Sequence, residues 1–273
     1  MLSRRNMVFL WAGPVVALNL LLIAVLDPDP GRGILETIGL GFFFGTLFGH
    51  TTLSAAWTAF GPLPLVWRLP LALGWVALLA CAIGINVALN GGPDEAFVVV
   101  GACLFGQWLL LQFPLWGLAI GYGLQLRHAD DSQSHLDPRQ RQFGIRQLII
   151  ITAIVGVVLG IGRAVVGQLG ERFSVGREAP IFIFLGVAAV VVTLPLLLAA
   201  LMKSWTIPGL LLVLAMIGVV SAFEVQLLRT IASSPGPKTS DFISINAFSA
   251  GVMLIVLTIV RCSGYSLDAS SRR

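Results

Sequence analysis

Charge is what this chain has least of. Lys, Arg, Asp and Glu supply 11% of its 273 residues, under half the share that soluble domains carry, against 57% in the apolar set. That balance excludes a water-soluble enzyme. Three cysteines exclude a disulfide scaffold, and 30 glycines without a triplet period exclude a collagen-like repeat. Catalytic motifs are missing as well: there is no Walker loop, no His-Glu-x-x-His, no Gly-x-Ser-x-Gly and no Cys-x-x-Cys. No basic stripe alternates with aromatics, so the net charge of +4 does not point to nucleic acid.

Apolar length is what the chain has in abundance. A bilayer-crossing helix needs about 20 mainly apolar residues, because backbone groups cannot be left unpaired in hydrocarbon. Eight segments meet that need: 7–26, 34–58, 69–90, 96–122, 147–168, 179–202, 206–228 and 242–262. Runs such as LIIITAIVGVVLG are apolar on every face, whereas barrel strands alternate. The expected fold is all-α, a polytopic transmembrane bundle of about eight spans. The longest stretch outside them, 123–146, has 24 residues and no room for a folded aqueous domain. Its Asp, Ser, Gln and Pro content reads as an exposed polar linker. It separates a first four-helix half (1–122) from a second half with a short C-terminal tail (147–273). Between the halves no internal repeat is visible, beyond arginines that precede the first apolar run of each.

Sidedness follows from the basic residues. With both termini cytoplasmic, eleven of the 17 face the cytoplasm and six face out, as the positive-inside rule requires. The first span follows Arg4 and Arg5 and is longer than a signal core, so it reads as an uncleaved anchor. The expected location is the inner (cytoplasmic) membrane of a cell, crossed many times.

Within the spans a few residues stand out. Gly41, Gly45 and Gly49 recur every fourth position and form a ridge on which another helix can approach closely; Gly156 and Gly160 form a second. Thr46, His50 and Ser54 make a polar stripe beside the first ridge, with Glu36 near its outer end. Ionisable groups inside a membrane are costly and so are candidates for function. His50 reads either as a neutral imidazole bonded to a neighbouring helix or as part of a path. Arg163 and Glu224 reach similar depth near the outer leaflet, as an intramembrane pair or as two snorkelling side chains. Asn86 and Asn246 also lie toward the outer side, and Gln107 would form the floor of a polar cluster opening outward. No residue set suggests a catalytic group, a metal or a cofactor.

The segments Gly39 to Trp75 and Arg141 to Val166 resemble uncharacterised multi-span membrane proteins of planctomycete-type bacteria. The likeness rests on Gln142 to Ile149, which opens a helix with a phrase similar to Gln-Phe-Ser-Ile-Arg-Asp-Leu-Leu, and on the Trp-Arg-Leu-Pro entry at Trp67 to Pro70. His50 stands where that family would carry Gln. The resemblance implies a bacterial inner membrane and brings no catalytic residue.

Three functional expectations follow. The first is a structural or accessory subunit whose glycine ridges bind a partner membrane protein, with the lipid bilayer as its other partner. The second is a small-solute or ion permease, proton-coupled, with a polar path through Glu36, His50, Gln107, Arg163 and Glu224. The weakest is a lipid-modifying membrane enzyme.

Overall fold

The computed structural model describes Leu21 and residues 34–90, 94–122, 124–128, 175–201, 206–232 and 238–269. The expected first and fifth spans lie outside these residues, and so do Gly156, Gly160 and Arg163. Six helices and one short ribbon are described: α1 (Ile34–Phe60), α2 (Leu65–Asn90), α3 (Asp94–Gly121), β1 (Leu124–His128), α4 (Val175–Leu201), α5 (Thr206–Ala232), α6 (Thr239–Cys262) and β2 (Tyr265–Ala269). Each helix covers one expected span with ends displaced by a few residues. Four stretches are long and apolar enough to cross a membrane: Leu65–Asn90, Val100–Gly121, Thr206–Leu227 and Thr239–Cys262.

α1 is not among those four, and its place in the bundle explains why. It packs on α6 most extensively and also on α2 and α3, so most of its surface meets protein rather than lipid. Thr46, Thr51, Thr52 and Thr58 are buried there. Two of these hydroxyls are satisfied within the helix, Thr51 donating to the Leu47 carbonyl and Thr58 to that of Ser54.

The glycine ridge is the seam between α1 and α6. A Cβ on Gly41 would collide with the Ser244 side chain, and one on Gly45 would lie 2.5 Å from the Ile245 carbonyl oxygen and 2.6 Å from Phe248 Cβ. At Gly49 the nearest atom would be the Ser249 carbonyl oxygen, 3.0 Å away. Contact positions rise together along both helices, so the two run parallel. Asp241 holds one end of the seam: it accepts from the Lys238 backbone N–H at the start of α6 and from the Thr37 hydroxyl of α1.

Within the 123–146 connection, residues 124–128 form a strand: β1 pairs antiparallel with β2, Leu126 opposite Leu267 at its centre. The ribbon also marks an internal duplication that reading the sequence does not reveal. Ile34 and Val175, Leu65 and Thr206, Gly121 and Cys262, and Leu124 and Tyr265 bound corresponding elements, each pair 141 positions apart (175 − 34, for example). Packing repeats with it. α1 touches α2 and α3 as α4 touches α5 and α6, and α1 meets α6 as α4 meets α3. Burial repeats too, at Leu47 and Ala188, Thr52 and Thr193, Ala55 and Leu196, Ala72 and Val213, Val76 and Ile217, and Leu79 and Val220. Reciprocal contacts of this kind define a two-fold relation. Because α3 and α6 both run into the ribbon at one end, the axis lies along the bundle. Gly264 turns the chain from α6 into β2 at φ 89°, a left-handed conformation that glycine adopts without penalty, and Gly123 is its counterpart in sequence.

A substitution in the seam tests this packing. Gly45→Leu must displace backbone of α6 and is expected to cost about 3 kcal/mol, whereas Gly106→Ala, whose Cβ meets nothing within 4 Å, should leave stability equal or slightly higher. Thermal unfolding of the purified protein in detergent checks both.

Candidate functional site

Of the five residues expected to form a polar path, the structure brings two together. Gln107 of α3 and Glu224 of α5, 6% and 4% exposed, line one small cavity of about 40 Å³ between α1, α3, α4, α5 and α6. Thr52 of α1, Thr193 of α4, and Asn246 and Ser249 of α6 complete its polar wall. Glu36 lies in the first turn of α1, with its side chain outside the described atoms. Arg163 lies outside the described residues altogether.

The hydrogen bonds fix how these groups point. Gln107 Nε2 donates to Thr52 Oγ1 at 2.9 Å and to the Phe48 carbonyl at 3.3 Å. A carbonyl can only accept, so the amide cannot be turned round. Its Oε1 is therefore left as a buried acceptor with no donor among the described residues. Asn246 Nδ2 donates to Glu224 Oε2 at 2.8 Å and to Ser221 Oγ at 3.0 Å. Glu224 is thus buried and hydrogen-bonded to a neutral amide, not snorkelling to water. No Lys, Arg or His among the described residues pairs with it. The wall offers more acceptors than donors and carries one carboxylate.

The duplication shows which of these groups the fold itself requires. Thr52 and Thr193 are counterparts, and both line the cavity. The other polar groups have apolar counterparts at the same displacement of 141: Ile83 for Glu224, Phe105 for Asn246, Phe248 for Gln107. Ile83 is as buried as Glu224, at 2% against 4% exposed. The architecture accepts an apolar residue at each place, so the polar side chains are not there to build the helices.

His50 lies elsewhere. It is 2% exposed and lines a second, larger cleft of about 480 Å³ between α1, α2, α4, α6 and the ribbon, whose wall is otherwise apolar except for Ser54. Its ring meets Trp75 edge to face, centroids 5.8 Å apart. This cleft also reflects divergence between the halves. In the second, Gly209 lets α5 approach α4 so closely that a Cβ would lie 2.6 Å from Ala199 Cβ. Arg68 is its counterpart in the first, and α1 packs less extensively on α2 than α4 on α5.

Reading the sequence places Asn246 and Gln107 in one polar cluster but overlooks Thr193, Ser221 and Ser249, which look like ordinary small polar residues of a membrane helix. Asn86 is buried in α2 and does not line the cavity. Gly41, Gly45 and Gly49 are covered by the chain's own α6. Among the described residues no three His, Cys, Asp or Glu side chains converge as a metal site of that kind would need. The chain matches no protein family, no curated protein and no solved structure.

The hydrogen bond between Asn246 and Glu224 can be weighed by a double substitution. Asn246→Leu strands the carboxylate and should destabilise by about 3 kcal/mol. Adding Glu224→Ile, the residue of the first half, should restore about 1–3 kcal/mol of that loss. Unfolding midpoints of the two single variants and the double variant in detergent measure the coupling.

Proposed function

We propose that the chain is an ion permease of a bacterial inner membrane, crossing it eight times with both termini cytoplasmic. The observation that carries this reading is the cavity shared by Gln107 and Glu224. A buried carboxylate that shares a cavity with an amide oxygen lacking a donor among the described residues is expensive in a membrane interior, and such groups are found where ions or protons are handled.

Three further features support it. α1, α3, α4 and α6 run one way and α2 and α5 the other, as contacts from Ser54 to Ala72 and from Arg261 to Ala200 and Thr206 require. The end of α3 and the start of α4 accordingly lie at opposite ends of the bundle, which agrees with one further crossing between them. Parallel internal repeats about an axis along the membrane normal recur among transporters, with sites near mid-membrane at the repeat interface. The likeness to membrane proteins of planctomycete-type bacteria agrees with the location.

The size of the cavity that holds Glu224 favours an ion over an organic solute. Sites for small organic molecules run to about 300–1,000 Å³, far above the 40 Å³ of this cavity. The accessory-subunit reading loses its best surface, since the ridge of Gly41, Gly45 and Gly49 is occupied by α6.

Reconstitution into liposomes tests the proposal. Wild-type protein should carry cation or proton flux above that of empty vesicles. Glu224→Gln should lower it about tenfold or more, while His50→Ala, which lines the separate cleft, should leave it intact. Flux no greater than that of empty vesicles under alkali-cation and proton gradients alike would overturn the reading.

A further inference from the structure

We propose that the central cavity binds one small monovalent metal cation, Na⁺ or Li⁺, between the Glu224 carboxylate and Gln107 Oε1. This rests on the ion-permease reading for its purpose, but the site stands on its own geometry.

The first argument is the imbalance of donors and acceptors. Gln107 has both its bonded donor contacts directed away, to Thr52 and Phe48, so its carbonyl oxygen is the end of the amide that has no donor among the described residues. Asn246 spends Nδ2 on Ser221 and Glu224. Among the described residues Glu224 therefore presents a carboxylate with one neutral donor, in an interior where an isolated charge costs several kcal/mol. A cation coordinated by both would satisfy the carboxylate and the amide oxygen together.

Donor chemistry and charge narrow the choice. Carboxylate, amide oxygen and the hydroxyls of Thr52, Thr193 and Ser249 are hard oxygen ligands, suited to alkali and alkaline-earth ions and not to thiophilic metals. A single carboxylate balances a single positive charge, whereas divalent sites enlist more than one. Volume gives the third restriction. One water needs about 10–15 Å³ of such space, so 40 Å³ admits a bare cation with a water or two and no hydrated ion. A proton would need no such room. The two-fold relation adds a structural reason for the position: Thr52 and Thr193, equivalent residues of α1 and α4, bring a hydroxyl from each half to the cavity, with the amide oxygen of Gln107 coming from the first half and the Glu224 carboxylate from the second.

The test separates binding from transport. The purified full-length protein in detergent, in N-methylglucamine buffer at constant ionic strength, is titrated with NaCl, LiCl or choline chloride while its unfolding midpoint is followed, and ²²Na⁺ binding is measured at equilibrium. The midpoint should rise saturably with Na⁺ or Li⁺ and not with choline, as ligand linkage demands. Glu224→Gln should weaken ²²Na⁺ binding about tenfold or more. Gln107→Leu and Thr52→Val, which remove a ligand oxygen without a charge, should also weaken it, so the result does not depend on the folding of one variant. An equal rise with choline, or no response to either alkali cation, overturns the site. Proton flux in liposomes without any Na⁺ or Li⁺ effect likewise overturns it while leaving the permease standing. Saturable Na⁺ binding without flux of any ion supports the site and removes the permease.

Discussion

The close approach of α1 to α6 is the contact on which the remaining geometry depends. In a bilayer, lipid tails are as apolar as leucine, so helices associate through close packing and hydrogen bonds, not through expulsion of water. Three glycines let the two backbones meet with carbonyl oxygens and side-chain roots of α6 where Cβ atoms would otherwise lie. The cavity belongs to the same seam. Ile245 and Ser249, which press on Gly45, also line it, as do Phe48 and Thr52 one step round α1. The position of Asn246, and through it of the Glu224 carboxylate, is thus set by a run of missing side chains on a helix that touches neither atom of that hydrogen bond.

Duplication supplies the scaffold and divergence supplies the site. Two copies of a helix-helix-helix-strand unit meet about an axis along the bundle, joined at one end by the ribbon pair Leu126 and Leu267. Where the copies agree, they agree on packing: alanines, leucines and valines buried at matching positions. Where they differ at the centre, the second copy has Glu224 for Ile83 and Asn246 for Phe105, while the first has Gln107 for Phe248. Each change introduces a polar group at a position that an apolar side chain fills in the sister copy. Buried polar groups of this kind are weak contributors to stability at best, so their retention needs another reason, and a bound ion supplies one.

Much of the fold is legible in the sequence, because span length is a property of composition: six expected segments correspond to the six described helices. The glycine ridge is legible as a contact surface but not as to its occupant, since spacing of four says that a helix comes close and not which one. The duplication escapes notice for a related reason. Its few identities, such as Leu69 with Leu210 and Leu71 with Leu212, are leucines among leucines, which any two apolar helices would share. The informative matches, among them Gly45 with Gly186, Thr52 with Thr193 and Gly123 with Gly264, emerge only once the displacement is known. Of the site, Gln107 and Glu224 are legible as costly polar residues. That they share a cavity depends on the crossings of five helices, which no local pattern encodes.

The same reasoning separates His50 from the cavity. His50 and Thr52 are two residues apart on α1, which at 3.6 residues per turn is about 200° round the helix. Thr52 faces the carboxylate side and His50 the cleft toward Trp75. The body of α1 therefore stands between imidazole and carboxylate. Arg68 stands where Gly209 lets α5 close on α4, and the cleft opens beside α2 of the first half with walls from α4 and α6 of the second, whereas the carboxylate belongs to the second half. Two specialisations arose on opposite sides of one helix, and a polar path that treats Glu224 and His50 as consecutive steps has no direct route through the packed interior between them.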